Sequence, residues 1–318
     1  MATETHDRER DRDFGRDSGS LRARLSGFVN DHVLAITLGP ALFVIFIIFV
    51  YPVAFLLYQS LFLTFPGIDT RFIGIGNYVT MFESAEFWSY FRHTLVYSTG
   101  SLLVSMTSGL VIALGINHVQ RRWLRNAYST VLMFAWAIPI AVVALIWRWI
   151  LQGNQFGLLN LLLVSSGLVA DPVAWLSNGD RAMLLVMLVD AWARMPFAMV
   201  VFLAGLQSIP RHLYDATRVD GATTLQAFRA VTLPRLRPYF AIVGLITWMF
   251  AFRAFAIIFP MTRGGPGQRT TVLSIHIYRT GMVNFNFGYA AAVAVFLVGV
   301  TVLVAVFYVT QIIGGMDE

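Results

Sequence analysis

Six long apolar segments, separated by polar loops, constrain the fold of this chain more than any other feature of its sequence. Each reaches the roughly 20 residues that a helix needs to cross a hydrocarbon layer about 30 Å thick. The segments are residues 34–61, 95–116, 127–150, 183–206, 239–261 and 289–312. With 57% hydrophobic and 13% charged residues, the chain also differs in composition from soluble globular domains. The sequence predicts an all-α polytopic membrane protein with six transmembrane helices.

The arginines indicate the orientation of these helices. All 23 basic residues are arginine, and 14 of them lie in the N-terminal tail, the loop after the second segment and the loop at 209–238. Because short cytoplasmic loops carry an excess of positive charge, both termini and the 209–238 loop are predicted to be cytoplasmic. The pI of 9.9 then reflects topology and contact with membrane lipid, and no nucleic-acid partner is expected.

The same pattern divides the chain into three regions. Residues 1–33 are rich in Arg, Asp and Glu and are predicted to be a disordered cytoplasmic tail. Residues 34–313 form the membrane domain, in which Pro139 is expected to kink the third helix, and residues 314–318 form a short C-terminal tail. The sequence has no cysteine, and its six histidines show no metal-ligand spacing, so no metal site is predicted.

The segment 209–238 is the longest polar interruption with the pattern of helix, turn and helix. Ser208 is expected to cap a first short helix, and Gly221 allows the chain to reverse. Thr223 or Thr224 can cap a second short helix, which two prolines end. On physical grounds alone this is an amphipathic hairpin at the membrane surface.

This segment also carries a family resemblance. The positions are Asp215, Ala216, Thr217, Asp220, Gly221, Ala222, Phe228, Leu233, Pro234 and Pro238. They resemble the coupling loop of type I ATP-binding-cassette importer permeases, with its EAA, three residues, G and closing LP. Asp215 departs from the usual Glu and loses one methylene of reach.

The resemblance implies how the hairpin works. Its apolar face, made by Leu213, Ala216, Leu225 and Phe228, is expected to sit in a groove of an ATPase subunit. Asp215 is expected to pair with a basic residue of that groove. The chain itself lacks the G-x-x-x-x-G-K-[ST] phosphate loop. It is therefore expected to be no enzyme and to bind no cofactor, with ATP on partner subunits.

Two further segments resemble the sugar-type branch of this family, the maltose and glycerol-phosphate type. Residues 71–82, RFIGIGNYVTMF, match an element found before the second span, and residues 261–271 contain a T-x-G-G-P-like turn. In the first of these, Asn77 is expected to cap a helix. The resemblance implies import of a sugar or sugar derivative across a prokaryotic cell membrane. The implied partners are two ATPase subunits, a second and different permease chain, and an extracytoplasmic solute-binding protein.

Charged side chains within the apolar segments suggest a solute path. Asp190 and Arg194 are four residues apart and share a helix face, and ionised groups at such depth cost on the order of 3 kcal/mol each. The resemblance adds Thr247, Trp248 and Arg253 as matching polar positions. One acid and two bases allow an anionic sugar. An ion pair that only satisfies itself is the other interpretation.

A second class of function uses the same pair. Asp190 and Arg194 could serve as a proton or ion relay in a secondary transporter or channel. That hypothesis leaves the 209–238 hairpin without a purpose. Dependence of uptake on ATP, rather than on a proton gradient, separates the two.

Overall fold

The computed structural model describes residues 33–314 and the side chains of residues 37–310. The predicted disorder of the N-terminal tail concerns residues that lie, except for Val33, outside this described part. The same holds for the C-terminal tail after Gly314. Contacts divide the chain into two units, Met1–Tyr58 and Gln59–Glu318.

The described chain is almost entirely helical. Its helices are α1 (Val33–Ile45), α2 (Tyr51–Gln59), α3 (Gly76–Glu83), α4 (Ala85–Asn117), α5 (Arg122–Ala137), α6 (Ile140–Ile150), α7 (Leu158–Ser165), α8 (Gly179–Ser208), α9 (Arg211–Val219), α10 (Thr224–Ala227), α11 (Leu233–Phe252), α12 (Ile258–Thr262), α13 (Leu273–Tyr278) and α14 (Phe287–Gly314). Wide π turns occupy Phe46–Val50, Phe228–Thr232 and Arg279–Val283. One short antiparallel pair, β1 (Phe62–Leu63) with β2 (Arg71–Phe72), completes the described elements.

Four of these helical stretches are long and apolar enough to cross a membrane. They are Thr37–Gln59, Ala85–Asn117, Gly179–Ser208 and Phe287–Thr310. Helices α5 and α6 make a fifth crossing if the bent pair is counted as one span. The described chain is thus a polytopic all-α membrane protein.

The third predicted segment breaks at its proline. Helix α5 ends at Ala137, and Ile138 and Pro139 have extended backbone with ψ near 130°. Helix α6 then leaves at 91° to α5. Because proline cannot donate the N–H that would continue the helix, the change of direction falls at the predicted position, as a break rather than a kink.

Two predictions for the region between the hairpin and residue 261 were wrong. Pro234 and Pro238 do not end the hairpin's second helix, because α10 continues through the π turn Phe228–Thr232 into α11. The N–H of Leu233 bonds to the carbonyl of Phe228, so the hydrogen-bond register has already changed where Pro234 enters the helix. At its other end, α11 stops at Phe252 instead of running to residue 261.

Residues 71–82 also differ from the prediction at one position. Helix α3 begins at Gly76, but Asn77 does not cap it. The buried Asn77 side chain donates to the carbonyls of Ser60 and Phe62 at 2.8 and 2.9 Å. Asn77 therefore holds the preceding strand against α3.

Helices α4 and α8 form the centre of the second unit, and small residues let them approach closely. A Cβ at Gly109 would lie 2.6 Å from Cβ of Ala198 and 2.9 Å from the backbone nitrogen of Met199. Close packing of this kind is how helices associate in lipid, where apolar burial alone does not drive association. Helix α11 packs against both α4 and α8.

Candidate functional site

A cavity of about 420 Å³ opens where three parts of the fold meet. They are the break between α5 and α6, the middle of α8 and the C-terminal half of α11. The lining residues are Ala135, Trp136, Ala137, Ile138, Pro139, Ile140, Ala193, Arg194, Phe197, Ile246, Thr247 and Phe250. Arg194 lies about 22 Å along α8 from Gly179, at 1.5 Å per residue, which places the cavity midway along a membrane helix.

The Arg194 side chain borders this cavity while held from behind by Asp190. Its Nε donates to both carboxylate oxygens at 2.9 Å, and its Nη2 lies 2.9 Å from Oδ1. The Asp190 side chain is fully buried, whereas 17% of Arg194 remains exposed. Arg194 therefore faces the cavity, and Asp190 lies behind it.

Asp190 is also bound from the neighbouring helix. The hydroxyl of Ser101 on α4 donates to Oδ2 of Asp190, and both residues are fully buried. The buried Tyr97 hydroxyl, one turn away, lies in the electrostatic field of Asp190 without forming a regular hydrogen bond within residues 37–310. Ser101 therefore holds the carboxylate of the ion pair from the neighbouring helix.

The rest of the cavity wall combines aromatic rings with one free hydroxyl. Thr247 is 1% exposed, and its hydroxyl has no hydrogen-bond partner within the described residues. Phe250 lies under the Arg194 guanidinium, at 5.4 Å from ring centroid to Cζ. Trp136, at the end of α5, is 55% exposed. Aromatic faces with a few placed polar groups are typical of small-molecule sites.

The five residues predicted for the solute path divide into two groups. Arg194 and Thr247 line the cavity, and Asp190 lies directly behind it. Trp248 instead stacks on Phe252, with centroids 4.4 Å apart, in a core cluster with α4 and α14. Arg253 caps the end of α11, is exposed and donates to the Met249 carbonyl at 3.3 Å.

The aromatic wall of the cavity and the hydrogen bond from Ser101 to Asp190 were not predicted from the sequence. Trp136, Phe197 and Phe250 come from three different helices, and nothing local distinguishes them from lipid-facing aromatics. Ser101 could have been found, because it lies four residues after Tyr97 on a face of α4 that continues with Ser105.

The 209–238 hairpin is a second site with its own geometry. Helix α9 begins after Pro210 rather than at Ser208, which is the last residue of α8. Gly221 has a φ of +71°, as its predicted role in a reversal requires. Thr223 caps α10 in a reciprocal arrangement with Gln226.

The hairpin presents apolar side chains to its surroundings. Val219 is 88% exposed and Leu225 57% exposed, while Leu213 and Phe228 are half-buried. Asp215 pairs with Arg218 of the same helix at 3.1 Å, and both side chains are mostly exposed. An exposed pair of this kind is weak, so Asp215 remains free to change partner.

No group of three or more His, Asp or Glu side chains within the described part of the chain is placed to hold a metal ion. The residues that line the cavity offer a guanidinium, a hydroxyl and aromatic rings.

Membrane helices surround a largely apolar cavity with one charged side chain, and two of them lead into an exposed helical hairpin. The family described as "binding-protein-dependent transport system inner membrane component" matches residues 105–311. The chain belongs to this family and is a permease subunit of an ATP-binding-cassette transporter. Such subunits are not enzymes, and separate subunits hydrolyse ATP.

Individual relatives agree with this membership. The sulfoquinovosyl glycerol transport system permease protein SmoG of Agrobacterium fabrum is 32% identical over 285 residues, 88% of this chain and 90% of the relative. A crystal structure of a bacterial transporter that imports the acidic polysaccharide alginate superposes with a TM-score of 0.76 at 27% identity, covering 91% and 98% of the two chains. A second structure, of an alginate transporter in complex with alginate pentasaccharide-bound periplasmic protein, gives 0.74 at 27% identity over 90% and 96%.

Proposed function

We propose that this subunit imports a sugar or sugar derivative and that the cavity beside Arg194 contacts the solute. The observation that carries the proposal is the combination, midway along α8, of a guanidinium, the unpartnered Thr247 hydroxyl and aromatic walls. Sugars bind through hydroxyls that meet such polar groups and through carbon faces that stack on aromatic rings. The names of two similar transporters, for sulfoquinovosyl glycerol and for alginate, support a saccharide.

The arrangement of Arg194 is compatible with a neutral or an acidic saccharide. Its charge is balanced by Asp190, and Arg253 does not line the cavity. The Nη1 group makes no hydrogen bond within residues 37–310 and can donate to a sugar hydroxyl or to an acidic group. Asp190 acts as a positioning residue that fixes the direction of this donor. The proposal therefore names a saccharide and leaves its charge to the measurement below.

The hairpin is proposed to transmit ATP-driven movement to this cavity. Helix α8 ends at Ser208, two residues before α9, and α10 continues through the π turn into α11. Both helices that present polar side chains to the cavity thus lead directly into the hairpin. Closure of the ATPase subunits, by binding one hairpin position better than another, shifts the permease between two conformations.

The proposed assembly contains two ATPase subunits that bind ATP, a second and different permease chain, and a solute-binding protein on the opposite face. We propose six crossings, with α11 added to the five stretches above, and a cytoplasmic position for both termini and the hairpin. The arginine distribution supports this orientation. Because the sequence contains no cysteine, single cysteines report this topology without background. An impermeant thiol reagent should label Asp171→Cys in whole cells and Ala222→Cys only after permeabilisation. The reverse pattern would overturn the orientation.

Uptake into vesicles that contain the complete transporter tests the cavity. With a labelled neutral disaccharide and a labelled acidic oligosaccharide, uptake should require ATP and should be retained without a proton gradient. Thr247→Ala and Trp136→Ala should raise the KM for the transported sugar severalfold. Trp149→Ala, also an exposed tryptophan but outside this cavity, should leave the KM unchanged. Equal KM values in all three variants would show that the solute does not use this cavity.

A further inference from the structure

Helix α7 and its flanking loops form an apolar surface that none of the described helices covers. Its largest exposed side chains are Phe156, Leu161, Leu162 and Leu168, at 68%, 55%, 57% and 74%. Several large apolar side chains exposed within one short segment mark a surface that contacts another phase or partner. The surface does not belong to the cavity or to the hairpin, which lies at the other end of α8.

The sequence around α7 also contains no charged residue. Between Arg148 and Asp171 there is no Asp, Glu, Lys or Arg. Protein interfaces usually combine arginine and a polar rim with their apolar centre. A surface of Leu, Val and Phe without a charged residue matches the acyl region of a lipid layer better. Eight residues of helix span only about 12 Å, so α7 cannot cross the membrane.

The backbone in this region is satisfied from within. The buried Asn160 side chain donates to the carbonyls of Gln152, Asn154 and Val173 at 3.0–3.2 Å. Its oxygen accepts from the backbone N–H of Val173 at 3.0 Å and from Nε1 of Trp175 at 2.9 Å. In water these carbonyls would need no protein partner. Irregular backbone at membrane depth does need one, and Asn160 supplies it.

Serine side chains also bind backbone carbonyls at the C-terminal end of α7. The hydroxyls of Ser165 and Ser166 donate back to the carbonyls of Leu162 and Leu163 at 3.2 and 3.1 Å. On the N-terminal side, Trp149 at the end of α6 is 50% exposed. Tryptophan is enriched where membrane meets water, which places the edge of the surface at that level.

We propose that α7 lies in the membrane leaflet opposite the hairpin, with Leu161 and Leu162 among the lipid chains. Asn160 anchors the helix to the protein from its other face. The 91° break before α6 allows the chain to turn toward this leaflet instead of continuing outward. The surface thus adds a non-spanning contact with lipid to the crossings described above.

The absence of cysteine permits a direct test with a nitroxide spin label at single cysteines. The complete transporter carrying Leu162→Cys is placed in vesicles of phosphatidylethanolamine and phosphatidylglycerol. Collision rates of the label are measured with oxygen, which concentrates in lipid, and with a water-soluble nickel chelate. Asp171→Cys provides a reference in water, and Ala144→Cys a reference buried in protein. Leu161→Cys repeats the measurement if the first variant does not assemble.

The proposal predicts a ratio of oxygen to nickel collision rates that is severalfold higher at Leu162 than at Asp171, with frequent oxygen collisions. Nickel collisions as frequent as at Asp171 would show that the surface lies in water. Low rates with both reagents, as at Ala144, would show that a partner protein covers α7. Either of these results overturns the proposal. Neither depends on whether the transported solute is a sugar.

Discussion

The guanidinium of Arg194 binds the Asp190 carboxylate along one edge, with Nε and Nη2 at 2.9 Å, and borders a cavity with the rest of its surface. Ser101 holds the same carboxylate from α4. A buried ion pair thus serves two purposes in this fold. Its acid is bound to α4 through Ser101, and its base presents one fixed positive group to the open space.

Removing the acid should therefore be costly. Asp190→Asn leaves Arg194 buried without its counter-charge, and breaking such a pair costs about 3–5 kcal/mol. We expect a lower unfolding temperature in detergent, and partial recovery when Arg194→Met removes the second charge. Asp215→Asn is the matched control, since its pair with Arg218 is exposed and should contribute little. Equal unfolding temperatures for the two single variants would contradict the structural role of the Asp190 pair.

A second prediction concerns the turn of the hairpin. Gly221 has φ +71° with open space around its Cβ position, so an aspartate there strains one residue without a clash. Gly221→Asp should leave the subunit folded and assembled but should separate ATP hydrolysis from transport. Gly67→Asp introduces the same charge at another glycine with φ +77° and open space, away from the hairpin. Uptake and hydrolysis rates in vesicles should differ between the two variants, and normal uptake by Gly221→Asp would refute the coupling role.

Packing between α4 and α8 gives a third prediction. Gly109→Ala places a methyl group 2.9 Å from backbone of α8, so the helices must separate. Overpacking of this kind costs about 1–3 kcal/mol. Gly115→Ala on the same helix meets nothing within 4 Å and should be neutral or slightly stabilising, because alanine is the better helix former. Thermal unfolding of both variants in the same detergent makes the comparison.

The fourth prediction is a pH dependence at α13. Burial, with a smaller contribution from Arg279, lowers the pKa of His276 from 6.5 to about 4. Its ring packs on Tyr90 and Tyr289, with centroids 5.0 and 5.9 Å away. Between pH 6.5 and 4 the unfolded chain binds a proton that the folded chain does not, so stability falls as pH decreases through this range. His276→Phe keeps a ring at the position and should flatten the dependence of unfolding temperature on pH. An unchanged slope in this variant would assign the dependence to other groups.

Local chemistry made part of this structure predictable. The hairpin's reversal at Gly221 and the cap at Thr223 each follow from one residue's conformational or hydrogen-bonding properties. The Asp190–Arg194 pair follows from helical spacing. The break at Pro139 follows from the missing N–H.

The remainder depended on contacts that spacing does not encode. Residues 254–261 are as apolar as a continuous helix would be, yet α11 ends before them. Ala254, Ile257 and Ile258 are buried against α6 and α8, and this packing stabilises the broken path. The cavity likewise exists only because three helices bring Trp136, Arg194 and Phe250 together.

Cross-linking from Leu225 tests whether the hairpin binds the ATPase subunit. This side chain is 57% exposed on the hairpin, so Leu225→Cys can carry a photoactivatable reagent without displacing a core residue. After illumination of native membranes, mass spectrometry identifies the adduct. We expect an ATPase subunit to be cross-linked to Leu225→Cys and none to Asp171→Cys, which lies on the opposite side of the membrane in the proposed topology. No ATPase adduct at Leu225, or equal amounts at both positions, would contradict the hairpin as the site through which ATP hydrolysis drives transport.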